Sequence, residues 1–404
     1  MRATIHIGTH KTGTSSIQSL LFNSRTLLRE QGCLYPQCLC YPERLRRDHL
    51  TDHNRLAHHL AFGTARDLLP PLRAELADAG CRHLLISAED LAQLLTAPQR
   101  LRSLQELLCE LGCHEVRIAV WLRETGALFA SLCSQLLKNG RPEYLHELPP
   151  HACPQFEAIL DSRALLQRWG EVFGREALTV RLFEPECFVQ GDLLCDAIAA
   201  FGLQWDERFS RPGRINESLN LLEMELLRVV NHLQGGTPVF AGTPKALLYE
   251  AMHRHLELLD APELRFAPPP QVTAAWREWA AAGNEWVRRE FFPHRPALFA
   301  LPAEAEGQAG QAEIAGMPPE AWEALGRVLC ELSNEVFRLR RERQLQRSRS
   351  QGTGGGLMTA AATSGRIPGP GAHARAHQDR DTPGSGAAPG HWPRRHPGDS
   401  GPGG

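Results

Sequence analysis

The sequence predicts an α/β protein of three layers: a central parallel sheet with helices on both faces, a helical C-terminal part and a disordered tail. Three observations carry that prediction. Short apolar runs at 3–8, 83–87, 115–122 and 177–182 are each followed by a helical pattern, the rhythm of βαβ units. The first run leads at once into a loop with two glycines and several hydroxyls, then into an amphipathic helix. The composition is that of a globular chain, with 404 residues, 42% hydrophobic, 22% charged and a net charge of −2.

The same figures exclude several classes. Near-neutral charge, 44 Lys+Arg against 46 Asp+Glu, argues against a dedicated nucleic-acid binder. No run of apolar residues is long enough for a membrane-spanning helix. Residues 1–8 read as a buried strand and lack the pattern of a secretory signal, so the expectation is a cytoplasmic protein. The 11 cysteines form no CxxC pair and read as free thiols of a reducing compartment. Cys33, Cys38 and Cys40 match no common zinc spacing, so no metal is expected.

Along the chain, helices are expected at 14–30, 64–79, 98–111, 125–138, 155–173, 191–201, 217–233, 245–259 and 272–291. The α/β body is placed at 1–300. A further amphipathic helix is placed at 318–346, where Trp322, Leu325, Leu329, Leu332, Val336 and Leu339 recur at heptad spacing. Two readings of this seam stay open: a helix packing back on the body, or a helix that joins two copies into a homodimer. From 348 to 404 the chain is Gly, Pro, Ser, Ala, Arg and His, too poor in apolar surface to offset chain entropy.

The strongest local signal is Ile7-Gly8-Thr9-His10-Lys11-Thr12-Gly13-Thr14-Ser15-Ser16-Ile17. Backbone N–H groups in such a loop point inward and the following helix N-terminus adds positive potential, so the loop is built for an oxyanion. An ATP-binding P-loop places Lys directly after its second Gly. Here Thr14 follows Gly13, and Lys11 lies inside the loop. The expectation is a phosphate-like ligand held without magnesium–triphosphate geometry, on a P-loop-like nucleotide-binding topology.

This loop resembles the 5′-phosphosulfate loop of sulfotransferases that use 3′-phosphoadenosine 5′-phosphosulfate (PAPS), whose core is PKxGT-like. Here His10 replaces the proline of that core. A second motif is similar too: in the family, a strand ends in Arg and a Ser follows eight residues on, the pair gripping the donor's 3′-phosphate. Here Arg123 ends the run Val116–Leu122 and Ser131 follows at that separation. The stretch Leu84–Leu91, with Ser87 and Glu89, and the later segments at 181–184, 191–194 and 216–219, are supportive. The glycine-rich RKGxxGDWK signature of cytosolic members is absent.

The resemblance implies a PAPS donor bound by His10, Lys11, Thr12, Gly13, Thr14, Ser15, Ser16, Arg123 and Ser131, with Lys11 catalytic. It also implies a carboxylate or histidine base, for which Glu89 ranks first and His58 second. The acceptor is expected to be a carbohydrate, lipid or small metabolite, contacted from 33–60, 140–155 and 235–270. Trp205, Trp276, Trp279 and Trp286 either stack on it or pack in the core. Two other classes stay in view. An ATP-dependent kinase would place Lys after Gly13 and a Walker-B aspartate at a strand end. A non-catalytic, sulfotransferase-like binding protein would lack Lys11 or Arg123.

Overall fold

The structure, a computed structural model, describes residues 1–41, 51–143, 145–153, 156–213, 219–236, 239, 243–256, 266–300 and 319–352. In chain order the elements are β1 (Arg2–His6), α1 (Thr14–Asn23), α2 (Arg25–Glu30), β2 (Cys33–Leu34), α3 (Asn54–Ala61), α4 (Leu69–Ala79) and β3 (His83–Ser87). There follow α5 (Asp90–Leu94), α6 (Pro98–Glu110), β4 (Glu115–Leu122), α7 (Thr125–Lys138), α8 (Glu157–Leu160), α9 (Ser162–Phe173) and β5 (Leu178–Leu182). The chain continues through α10 (Leu193–Ala200), α11 (Leu221–Leu233), α12 (Pro244–Leu256), α13 (Pro270–Phe291) and α14 (Pro319–Gly352).

The strands form one parallel sheet in the order β2-β3-β1-β4-β5. β1 lies in the middle, with Ile5 paired to Ile86 of β3 and to Ile118 of β4. A strand buried on both faces reads as a continuous apolar run, which is why these strands were visible in the sequence. β2 was not expected there, since a two-residue strand leaves no periodic signal.

Alternation sorts the side chains of each strand into two cores. Ala3, Ile5, Ile86, Ile118 and Val120 face the layer built by α3, α4, α6 and α9. Leu85, Ala119 and Trp121 face α1, α2 and α10. Each fully buried leucine or isoleucine contributes about 1.5–3 kcal/mol relative to exposure, so both helical layers are held by the sheet they cover. A third cluster, away from the sheet, joins α7, α11, α12, α13 and the first turns of α14 around Phe129, Phe156 and Trp276. Trp276 is fully buried and stacked on Phe129, so it is a core residue. Trp279 and Trp286 pack against the cores as partly buried residues, and Trp205 sits half-buried under Arg211.

The chain divides into Met1–Gln346 and Arg347–Gly404. α14 runs on to Gly352, past position 348 where the tail was expected to begin. The rest of that tail, residues 353–404, and Asn216, Glu217 and Ser218 lie outside the described residues.

No helix of the structure is long and apolar enough to cross a membrane among the described residues.

Candidate functional site

The strand order locates the site. From β1 the chain leaves toward β2 on one side, and from β4 it leaves toward β5 on the other. Connections that diverge from adjacent strands open a crevice at their carboxyl ends, where ligands of open α/β sheets bind. The 8–13 loop follows β1 and Arg123 follows β4, so both sequence motifs meet at this switch point.

The loop is shaped by its own side chains. Thr9 Oγ1 donates to the Trp121 carbonyl of β4 at 2.5 Å, and Thr12 Oγ1 donates to the Thr9 carbonyl at 2.7 Å. Thr12 is thereby fully buried, with its hydroxyl turned into the loop. Gly13 has φ 74°, and a Cβ there would overlap Leu193 of α10. Gly8 has φ 38°, and its Cβ would lie 2.8 Å from Thr14 Cγ2 and 3.2 Å from Glu89 Cα. Lys11 also lies in the left-handed region, at φ 63°. A non-glycine residue there is uncommon and is held in place by its surroundings.

α1 begins with Gly13 as its N-cap, has no side-chain cap, and carries no acidic residue in its first turn. The Ser16 and Ile17 N–H groups donate to the Gly13 carbonyl, each at 3.1 Å. Of the hydroxyl residues that follow, Thr14 is buried and Ser15 and Ser16 are partly exposed. A helix start without a carboxylate cap leaves its positive end for another anion.

Arg123 Nη1 donates to the Lys11 carbonyl at 2.7 Å, tying β4 to the strained residue of the loop. Its guanidinium carbon lies 5.4 Å from the Phe183 ring centre. Lys11 Nζ donates to Gln135 Oε1 of α7 at 3.5 Å. Burial pushes the Lys11 pKa down, Glu89 opposes this, and Arg123 adds to it. Ser131 is buried one turn before Gln135 and so shares its side of α7. The structure thus brings Lys11, Arg123 and the face of α7 that carries Gln135 and Ser131 together at the switch point.

Glu89 sits at the carboxyl end of β3. One of its oxygens pairs with His10 Nδ1, and the other accepts from Thr14 Oγ1 at 2.5 Å. His10 Nε2 meets Gln93 Oε1 at 2.9 Å. With acceptors at both ring nitrogens, His10 is held as an imidazolium. Burial alone would lower its pKa, but the charge and hydrogen bond of Glu89 outweigh that and raise it to about 9. Burial would raise Glu89, but His10 and Thr14 hold its carboxyl well below the usual range.

His58 lies on α3 beside this pair. Its Nε2 is 2.9 Å from Asp90 Oδ2, and its Nδ1 meets the Tyr41 hydroxyl. Burial raises the Asp90 pKa, and the neighbouring His58 and His10 pull it back.

Four features were missed in the sequence. Tyr41 and Gln93 carry no local signal. Glu124 caps α7 by accepting from the Gly126 and Ala127 N–H groups, and it pairs with Arg277 of α13. Asp196 is fully buried, accepts from Trp121 Nε1 at 2.9 Å, and pairs with Arg181. An Asp or Glu directly before a helical run, as at Glu124, is a capping signal that could have been read.

The fold and loop define the class: a doubly wound parallel α/β protein with a glycine loop opening a helix at its switch point. No protein-family model matches the chain, and no curated protein matches it. Among solved structures the chain is similar to the crystal structure of a sulfotransferase from Alicyclobacillus acidocaldarius. The identity is 17%, over 57% of this chain and 92% of that one, with a TM-score of 0.33. Likeness at that level leaves function to be argued from the site itself.

Proposed function

We propose that this chain is a PAPS-dependent sulfotransferase that moves a sulfuryl group to a hydroxyl or amine of a carbohydrate, lipid or small metabolite. One observation carries the reading: an uncapped helix start, a lysine inside the glycine loop and a strand-end arginine bonded to that lysine's carbonyl meet at the switch point. Thr14 stands where an ATP-binding loop places its lysine, which disfavours the kinase reading.

The donor supplies an activated sulfuryl group, displaced in line by the acceptor. The chain's residues divide the work. Lys11 offsets negative charge growing on the leaving 5′-phosphate side, together with the N–H groups of Gly13, Thr14 and Ser15. Thr12 contributes through its backbone, since its hydroxyl is committed to the loop. Arg123 and Ser131 hold the 3′-phosphate, a forked cation and a hydroxyl for a dianion. His10, locked to Glu89, keeps the loop in place and adds positive charge to it.

For the base, the pairing of Glu89 favours His58. A carboxylate whose two oxygens are occupied and whose pKa is driven down is a poor proton acceptor. His58 has Asp90 at its Nε2 to orient the ring and the Tyr41 hydroxyl at its Nδ1. The acceptor's proton passes to the Tyr41 oxygen as the phenolic proton passes to His58 Nδ1.

Calorimetric titration with adenosine 3′,5′-bisphosphate, against ATP with magnesium, tests the donor assignment. Tight binding of the bisphosphate and none of ATP is expected. Preference for ATP would move the reading to a kinase, and binding of neither would leave a non-catalytic protein.

A further inference from the structure

The heptad seam of α14 is split by the fold. Trp322 and Cys330 are buried, and a Cβ at Gly326 would overlap Val229 of α11. That face seats the helix on the body. A second face stays in solvent: Leu325 is 36% exposed, Val328 53%, Leu332 58%, Val336 40% and Leu339 51%. Large apolar side chains scattered singly need no explanation, but five in one stripe on one helix do.

Their arrangement is symmetric. The spacings are 3, 4, 4 and 3, and the residue types read Leu, Val, Leu, Val, Leu about Leu332. We propose that this face pairs with the same face of a second copy of this chain, antiparallel, about a two-fold axis through Leu332. Leu325 then meets the partner's Leu339, Val328 meets the partner's Val336, and Leu332 meets the partner's Leu332. A two-fold interface uses one self-complementary patch on both copies, and a palindromic stripe is such a patch.

Charge selects the same direction. On the two sides of Leu332, residues 319–331 hold three Glu and one Arg, whereas 333–346 hold four Arg and two Glu. An antiparallel pair lays the acidic half of one helix along the basic half of the other. A parallel pair would set like charges together. The stripe spans fourteen residue steps, about 21 Å of helix. A seam that short falls at the small end of specific interfaces, so the dimer is concentration-dependent.

Sedimentation velocity of the full chain over a concentration series tests this. A monomer that converts to a dimer with rising concentration is expected. Leu332→Arg, which sets two like charges on the axis, is expected to give a monomer throughout with an unchanged melting temperature. Register is read by oxidative cross-linking in a Cys109→Ser background, because Cys109 is an exposed thiol. Leu332→Cys is expected to form a covalent dimer by itself. Leu325→Cys is expected to cross-link only when mixed with Leu339→Cys. The proposal is overturned by a chain that stays monomeric, by a dimer that survives Leu332→Arg, or by Leu325→Cys cross-linking to itself as readily as Leu332→Cys.

Discussion

Replacing Glu89 by Gln tests how the loop is held. The substitution keeps volume and an acceptor oxygen but removes the charge that faces His10. Without that charge, burial is the largest remaining influence on His10, and its pKa is expected to fall. Removing one member of a buried ion pair costs about 3–5 kcal/mol. The His10 and Glu89 side chains keep 16% and 22% of their exposure, so solvent screens part of this. We expect a loss of about 2 kcal/mol at about pH 6.

The loss must depend on pH, and its sign follows from the two shifts. The folded-state pKa of His10 is raised to about 9, so its contribution is complete below 6.5 and disappears as pH rises through about 9. The folded-state pKa of Glu89 is lowered, so its contribution is present above 4.5 and is lost as pH falls through the depressed value. The pair is therefore whole between 4.5 and 6.5. Urea unfolding of wild type and Glu89→Gln, followed by tryptophan fluorescence, measures the difference directly. It should be largest at about pH 6 and shrink toward about pH 10. A difference that stays flat across that range would refute the assignment of His10 as a bound imidazolium.

Lys11→Ala should lower the transfer rate by about 10²- to 10³-fold, the usual cost of one transition-state donor. Its melting temperature should hold, since the Lys11 side chain meets Gln135 only at 3.5 Å; unchanged turnover would remove Lys11 from the chemistry. Arg123→Ala should weaken adenosine 3′,5′-bisphosphate more than adenosine 5′-phosphate, by about 1.5–3 kcal/mol for a lost charged hydrogen bond. Equal weakening in calorimetry would limit Arg123 to propping the loop through the Lys11 carbonyl. Asp196→Asn should destabilise the fold by about 1–3 kcal/mol in urea, because it removes the buried charge that pairs with Arg181, whose side chain is 32% exposed and so partly screened by solvent. His58→Gln should lower the transfer rate by about 10²- to 10⁴-fold, the usual contribution of a general base, while leaving bisphosphate affinity unchanged; altered affinity with an unaltered rate would assign His58 to packing.

The sequence by itself determined what depends on neighbours along the chain. β3 and β4 fall at the expected 83–87 and 115–122; β3 is buried throughout and β4 from Ile118 to Leu122, where the run is continuously apolar. The glycine loop was legible because Gly8 and Gly13 mark positions where the backbone turns left-handed. Arg123 and Ser131 stood out through the resemblance of their eight-residue separation to a 3′-phosphate motif.

Tertiary structure decided what depends on residues distant in sequence. The strand order that sets Arg123 beside Lys11 is a property of crossovers, which periodicity does not encode. Glu89 meets His10 because β3 lies next to β1 and brings their strand ends together. His58 gains Asp90 and Tyr41 from two other segments of the chain. The heptad seam of α14 was plain in the sequence, yet only packing against α11 shows which of its residues are spent on the body. Apolar spacing records that a face must be covered; what covers it is set by which elements the fold brings alongside.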